Sequence, residues 1–184
     1  DNRRGDGEWE GVSGPGPRSH PRSAGGRLAE NRGPAAARNA AVAASHGELL
    51  AFTDDDCLPS PGWLEALLLA AEDVDLVQGR TEPDPDPSGM QSGPWARTIR
   101  IVEPTALFET CNIAYRRSAF ERVGGFDEGH AVSARPGGRA FGEDVLLGSA
   151  VIASGGGRRF APDALVHHRY LPADFRHHLR SMRE

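Results

Sequence analysis

The sequence contains no lysine, only two cysteines and no long apolar run. Its 21 basic residues are all arginine, which, beside abundant Ala, Gly and Pro, indicates a GC-rich coding sequence rather than selection for guanidinium chemistry. Cys57 and Cys111 match no metal-ligand or redox spacing, which favours a reduced, cytoplasmic protein. No apolar run approaches the roughly 20 residues of a membrane span, so we expect no span in this chain and, at most, peripheral association with the inner face of a membrane.

Positive charge is also in deficit. The net charge is −5 and the sequence pI is about 5.8, which gives no general attraction to phosphate backbones, so nucleic acid is not an expected partner. With 184 residues the chain fits one domain. Residues 1–26 are so rich in Gly, Pro and Arg that we expect a flexible segment there, and we assign the folded domain to 27–184.

Apolar patterns along the chain alternate between strand-like and helix-like. "ELLAFT" is a continuous apolar run typical of a buried strand, Ser60-Pro61 predicts the start of a helix, and "VDLVQG" predicts the next strand. This order predicts a right-handed crossover in an α/β fold, with a mostly parallel sheet flanked by helices. The other predicted elements are helices over 34–45, 118–123, 143–154 and 172–183, a strand over 109–117, and one or two strands over 158–170.

Three consecutive aspartates, Asp54, Asp55 and Asp56, follow the first predicted strand. Ligands of parallel α/β sheets bind outside the carboxyl ends of the strands, where this cluster is expected to lie. Alternation along an extended turn would put Asp54 and Asp56 on one side, where they could hold a hard cation through oxygen ligands while Asp55 points elsewhere. The alternative is a solvated turn, in which aspartates are common.

Two further pairs of residues could carry chemistry. Glu143-Asp144 opens a predicted helix after a Gly-rich loop, where acids serve either as partners of the helix dipole or as a general base on a rigid mount. His167-His168 ends another predicted strand, so one ring should face each side of the sheet. Whether either ring is a ligand or only a packed side chain stays open at this point.

The order of these features resembles a known family. "RGPAAARNAAVAASHGELLAFTDDDCLPSPGWLEAL", "ETCNIAYRRSAFERVGGFDE", "FGEDVLLG" and "APDALVHHR" together are similar to the family-two glycosyltransferases with a GT-A fold. The resemblance covers roughly residues 27–170 and implies an enzyme that uses a sugar nucleotide and, as most of the family does, inverts the anomeric centre.

The resemblance also implies roles for individual residues. Asp54 and Asp56 become the Asp-x-Asp pair, with Asp56 as the metal ligand and Asp54 nearer the donor's ribose or the metal shell. Asp144 becomes the catalytic base, with Glu143 as its neighbour. His168 completes the metal or diphosphate site, and His167 is the fallback. The wider donor-binding set that the resemblance implies is Asp1, Arg38, Asn39, Asp54, Asp55, Asn112, Gly124 and Gly125.

We therefore expect metal-dependent transfer of a sugar from a nucleoside-diphosphate sugar to an acceptor hydroxyl, with Mn²⁺ or Mg²⁺ as cofactor. The acceptor is a glycan, a lipid or a small molecule, and a homo-oligomer is possible. Domains of this family normally begin with a strand, a helix and a second strand, and the chain resembles such a domain without its first two strands. The alternatives are a non-catalytic remnant of such a domain and a metal-dependent phosphohydrolase or nucleotidyltransferase.

Overall fold

Helices and strands alternate along most of the described chain. The computed structural model describes residues 30–85, 98–129 and 142–169, so Asp1, the segment 1–26 and the helix expected over 172–183 lie outside the described residues. The elements are α1 (Gly33–Ala43), β1 (Leu49–Phe52), β2 (Cys57–Pro59), α2 (Trp63–Ala70), β3 (Leu76–Pro83), a 3₁₀ turn (Thr110–Asn112), β4 (Ile113–Arg116), α3 (Arg117–Arg122), α4 (Glu143–Ala153) and β5 (Arg158–His168).

The five strands form one sheet in the order β1-β4-β3-β5-β2. β1, β3 and β5 run in one direction, whereas β4 lies antiparallel between β1 and β3, and β2 pairs antiparallel with the outer side of β5. The predicted α/β class is confirmed, but the pairing is mixed rather than mostly parallel. The pairing is mixed because β3 and β4, which follow one another among the described strands, lie side by side and run in opposite directions.

Several element boundaries differ from the sequence prediction. β2 was not predicted, and the segment 109–117 divides into the 3₁₀ turn and β4. The helix predicted after Ser60-Pro61 begins only at Trp63, because the capping position is Gly62 with φ 82°, while the Ser60 carbonyl accepts the Trp63 N–H at 3.1 Å. β5 is a single strand of 11 residues.

The core lies on both faces of the sheet. Ile113 and Tyr115 point to one face, where α1, α3 and α4 cover them, and Ala114 points to the other, against α2. Leu76 and Val77 in β3 divide between the two faces in the same way. All five are at most 1% exposed, and burial of each large aliphatic side chain stabilises the fold by roughly 1.5–3 kcal/mol.

The three strands that run in the same direction end at one edge of the sheet. Asp54 follows the end of β1, Pro83 ends β3 and His168 ends β5, with Pro83 paired to His168. The mixed pairing therefore leaves the expected placement intact: the acidic cluster lies at the carboxyl ends of the strands.

Candidate active site

The acids at the end of β1 and at the start of α4 line one open cleft of about 1010 Å³. Asp54, Asp55 and Asp56 come from the turn after β1, and Glu143 and Asp144 come from the first turn of α4. The side chain of Arg38, from α1, also lines this cleft. The structure thus brings together two groups of acids that are far apart in the sequence, as the resemblance implied.

Arg38 connects the two groups of acids directly. Its Nη2 lies 3.3 Å from Oδ1 of Asp54, and its Nη1 donates to Oε1 of Glu143 at 2.9 Å. The guanidinium carbon lies 5.5 Å from the centre of the Phe126 ring. One cation therefore serves a carboxylate from each side of the cleft, with an aromatic ring against its face.

Burial changes the acidity of two of these carboxyl groups. It raises the pKa of Asp54 above its usual value, although the Arg38 guanidinium acts in the opposite direction. Burial also raises the pKa of Asp144. The hydrogen bond that the Val145 N–H donates to the Asp144 carboxylate at 2.9 Å opposes this rise, whereas the charge of the neighbouring Glu143 adds to it. A partly buried carboxyl with a raised pKa is better matched to general base catalysis near neutral pH than an exposed one.

The pairing of β2 with β5 brings Asp56 to His168. Cys57 lies opposite His168 in the register, and the Arg169 N–H donates to the Asp56 carbonyl at 2.9 Å. As a result, Nε2 of His168 lies 3.7 Å from Oδ2 of Asp56. A ligand atom from each of Asp56, Cys57 and His168 lies within 4.8 Å of the others.

The hydrogen bonding of His168 suits a metal ligand. Its Nδ1 donates to the Arg169 carbonyl at 2.8 Å, and since a carbonyl can only accept, Nδ1 carries a proton. When Nε2 is unprotonated, it presents a lone pair toward the Asp56 carboxylate, an arrangement that a cation between the two atoms stabilises. An imidazole whose other nitrogen donates to a backbone carbonyl is the usual form of a histidine that ligates a metal. These residues therefore fit a divalent cation.

His167 lies on the opposite side of β5 from His168. It pairs with Leu58 on one neighbouring strand and Glu82 on the other, and its buried Nδ1 has no hydrogen-bond partner among the described residues. The sequence left open which of the two histidines lies beside the acidic cluster. In the structure it is His168, which lies beside Asp56.

Asn112 does not line the cleft. It is fully buried, its Nδ2 donates to the carbonyls of Arg80 and Ala164 at 2.7 and 2.8 Å, and its Oδ1 accepts the Trp63 Nε1–H at 2.8 Å. A donor sugar could reach this amide only if these bonds broke and left buried polar groups unpaired. The geometry instead gives Asn112 the role of tying α2, β3 and β5 together.

Asn39, Gly124 and Gly125 are likewise placed away from the cleft lining. The Asn39 Oδ1 accepts the Phe126 N–H at 3.0 Å and its Nδ2 donates to the Phe126 carbonyl at 2.8 Å. Gly124 and Gly125 end α3 with φ of 87° and 75°, and a Cβ on Gly125 would lie 2.9 Å from the Phe120 ring. These residues fix the turn that carries Phe126.

The sequence prediction missed a further part of the cleft wall, around Glu109. Its Oε2 accepts hydrogen bonds from Gln78 at 2.9 Å and from Thr105 at 2.8 Å, and the Thr105 N–H donates to Oε1 of Gln78 at 2.9 Å. Leu107, from the same segment, also lines the cleft. The one signal in the sequence was Gln78 itself, a polar residue inside an apolar strand, which needs buried partners.

The fold is that of the GT-A glycosyltransferases. The mannosyltransferase PcManGT from Pyrobaculum calidifontis, solved in complex with GDP-Man and Mn²⁺, superposes with a TM-score of 0.54 at 22% identity over 84% of this chain and 41% of its own. GalNAc-T7, solved with UDP, GalNAc and Mn²⁺, gives a TM-score of 0.56 at 18% identity over 79% of this chain and 32% of its own. At these identities the comparison establishes the fold alone.

The family follows from the sequence. The profile described as Glycosyl transferase family 2 matches residues 21–124, which is more than half of the chain. The chain belongs to this family, and the family resemblance is confirmed; the match covers the first of the four sequence segments and most of the second.

Curated relatives match over shorter shares of their length. The pre-mycofactocin glycosyltransferase of Mycobacterium tuberculosis is 34% identical over an alignment of 111 residues that covers 53% of this chain and 24% of that protein. Glycosyltransferase AglE of Haloferax volcanii is 31% identical over an alignment of 111 residues that covers 56% of this chain and 36% of that protein. The chain thus spans about a quarter to somewhat more than a third of the length of these relatives. Within the described residues, the helices are too short or too polar to cross a membrane.

Proposed function

We propose that this chain binds a nucleoside-diphosphate sugar and transfers the sugar, with inversion and with the help of Mn²⁺ or Mg²⁺, to an acceptor hydroxyl. The observation that carries the proposal is the cleft in which two separate groups of acids face a common space. Sugar transfer needs two sites of opposite duty, one for the leaving diphosphate and one for the attacking hydroxyl. The bound GDP-Man and UDP of the two structural neighbours support this class of donor.

The leaving-group side of the proposed site is formed by Asp54, Asp56 and His168. Asp56 and His168 would hold the cation through Oδ2 and Nε2, and Asp54 would hold its outer shell or the donor's ribose. When bound, the cation neutralises the negative charge that develops on the departing diphosphate. Carboxylate and imidazole ligands together accept Mn²⁺ as readily as Mg²⁺, and the Mn²⁺ in both structural neighbours supports this choice.

Asp144 forms the side of the proposed site that activates the acceptor hydroxyl, which is the nucleophile. Its carboxylate accepts the proton of the acceptor hydroxyl while the hydroxyl oxygen bonds to the anomeric carbon and the bond from that carbon to the diphosphate oxygen breaks. Because the two groups of acids come from different elements that face one cleft, base and leaving group can occupy opposite sides of the sugar, which gives inversion in one step. The proposed acceptor is a glycan, a lipid or a small molecule.

The proposal is tested by turnover of the complete protein with a panel of sugar nucleotides and Mn²⁺ or Mg²⁺. Asp144→Asn should lower kcat by about 10²- to 10⁴-fold, and Asp56→Ala should abolish the response to added metal. Asp163→Asn, which changes an exposed acid of β5 outside this cleft, is the matched control and should leave turnover unchanged.

Three results would contradict the proposal. Unchanged turnover in both Asp56→Ala and Asp144→Asn would remove the assigned residues from the reaction. Release of free sugar or phosphate without an acceptor product would favour a phosphohydrolase. Retention of the donor's anomeric configuration in the product, measured by NMR, would exclude the single displacement.

A further inference from the structure

We propose that Arg38 is a positioning residue that fixes the spacing between the leaving-group side and the base side of the site. The inference rests on the proposed function, and it gives Arg38 a role beyond contact with the donor. Its two terminal nitrogens are already directed at Asp54 and Glu143, at 3.3 and 2.9 Å. These carboxylates belong to the turn after β1 and to the first turn of α4, so one guanidinium joins the two groups of acids.

The guanidinium of Arg38 also contacts an aromatic ring. Its carbon lies 5.5 Å from the centre of the Phe126 ring, and Asn39, the next residue of α1, forms two hydrogen bonds with the Phe126 backbone. The side chain of Arg38 is only 21% exposed. A planar cation that contacts an aromatic ring and forms hydrogen bonds to two carboxylates has little freedom, so the two carboxylates it binds are fixed relative to each other.

The start of α4 depends on this contact. α4 is capped by Gly142 with φ 102°, which provides no side-chain hydrogen bond. The side chain of Glu143 is 11% exposed, and Arg38 is its charged partner within the described residues. Asp144, the proposed base, is the next residue on the helix. Holding Glu143 therefore also fixes the position from which Asp144 meets the acceptor, and misplacement of a base by about 1 Å can reduce the rate 100-fold.

Charge gives a second reason for a bridging cation. The described residues that line the cleft include the acids of 54–56 and 143–144 and also Glu109. Arg38 is the one basic residue among them. Without it, the two groups of carboxylates would repel each other across a partly buried space. A lysine could supply the charge but not the planar fork, so it would restore one contact rather than both.

The test is a double-mutant cycle on the complete protein with Arg38→Ala, Glu143→Gln and the double variant. If Arg38 acts through Glu143, each single variant should lower kcat by about 10- to 100-fold with a smaller change in KM for the donor. The double variant should be hardly slower than the worse single variant, because the second substitution removes an interaction that is already lost. Arg38→Lys should recover part of kcat.

Arg122→Ala is the matched control, since Arg122 also forms an ion pair, with Asp75 at 3.1 Å, but lies outside the cleft lining; its kcat should be unchanged. Strictly additive losses in the cycle, or a loss confined to donor KM, would overturn the inference and assign Arg38 to direct donor contact. If the wild-type protein turns over no sugar nucleotide, the proposed function fails instead. The same cycle, measured then as thermal unfolding without metal, should still show coupling between Arg38 and Glu143, and additivity there overturns the positioning role.

Discussion

At the scale of single residues, the cleft contains carboxyl groups whose burial lowers the stability of the fold. Asp54 and Asp144 are both partly buried, and burial raises the pKa of each. A raised pKa in the folded state means that ionisation of the carboxyl group requires more free energy there than in the unfolded chain. Groups of this kind are typical of catalytic positions, where reactivity and stability have opposing requirements.

Asp144→Asn should therefore stabilise the fold while it slows the reaction. The raised pKa means that the folded state binds more protons than the unfolded state between the usual value of 3.8 and the higher folded value, so the wild type loses stability as the pH rises through that window. The amide has no charge to desolvate and can still accept the Val145 N–H. We expect Tm at pH 7 to rise by a few degrees in scanning calorimetry, and the gain to vanish below about pH 3.8.

The exposed Asp163→Asn should show no such gain at pH 7. A lower Tm for Asp144→Asn at pH 7 would mean that the ionised carboxylate stabilises the fold, which would contradict the assigned effect of burial.

The sequence predicted the position of some of these residues better than that of others. Asp56 and Asp144 both line the cleft, and the sequence could place them there because each lies near an element boundary, a strand end or a helix start, that the apolar pattern marks; their roles stay a prediction. Asn112 and Asn39 were assigned to the donor, whereas the structure uses their amides to hold β3 and the Phe126 turn. An amide that binds a ligand and one that satisfies backbone groups look the same in a sequence, because the difference lies in partners from distant elements.

At the scale of elements, the cleft wall at 105–109 depends on how closely α4 approaches it. Phe108 has φ 51°, an uncommon conformation for a residue other than glycine, and its buried ring packs against Gly148 of α4. A Cβ on Gly148 would lie 2.2 Å from Cγ of Phe108, which is far inside contact distance. The glycine is thus required by the packing of the wall on the helix.

Gly148→Ala should destabilise the protein by about 1–3 kcal/mol, because the new methyl group displaces Phe108 from a filled core. The direction of the change in stability distinguishes this account from one based on helix propensity alone. In a site with open space, alanine would stabilise the helix by about 0.5–1 kcal/mol relative to glycine. Urea unfolding measures the difference, with the neighbouring exposed Ser149→Ala as the control. A Gly148→Ala variant that is more stable than the wild type would show that Phe108 can move aside without loss of stability.

Element prediction was limited in the same way by tertiary pairing. The helices α1 and α4 were predicted to within about two residues, because Pro34 and the Glu143-Asp144 pair mark their starts. β2 was missed because it has only three residues, includes Pro59, and is a strand solely through its pairing with β5. The direction of β4 was also out of reach, since an apolar run indicates a strand without indicating which way it runs.

At the scale of the whole molecule, the short β2 strand links the end of β1 to the end of β5 and so joins Asp56 to His168. A cation bound by these two side chains would bridge segments that are more than a hundred residues apart in the sequence. Because the two side chains meet only in the folded chain, binding of a cation between them should stabilise the fold by mass action.

Addition of Mn²⁺ should therefore raise Tm of the complete protein even in the absence of any sugar nucleotide. At a free concentration about 100 times Kd the gain is about 2.7 kcal/mol, which for a domain of this size corresponds to a shift of roughly 5–10 °C. Asp56→Asn and His168→Ala should each remove most of the shift. His167→Ala should keep it, since that ring faces the other side of β5, and the pair of histidine variants distinguishes two adjacent residues that the sequence left open. Equal shifts in both histidine variants would place the cation elsewhere, and a shift that follows His167 would move the ligand to the opposite side of the strand.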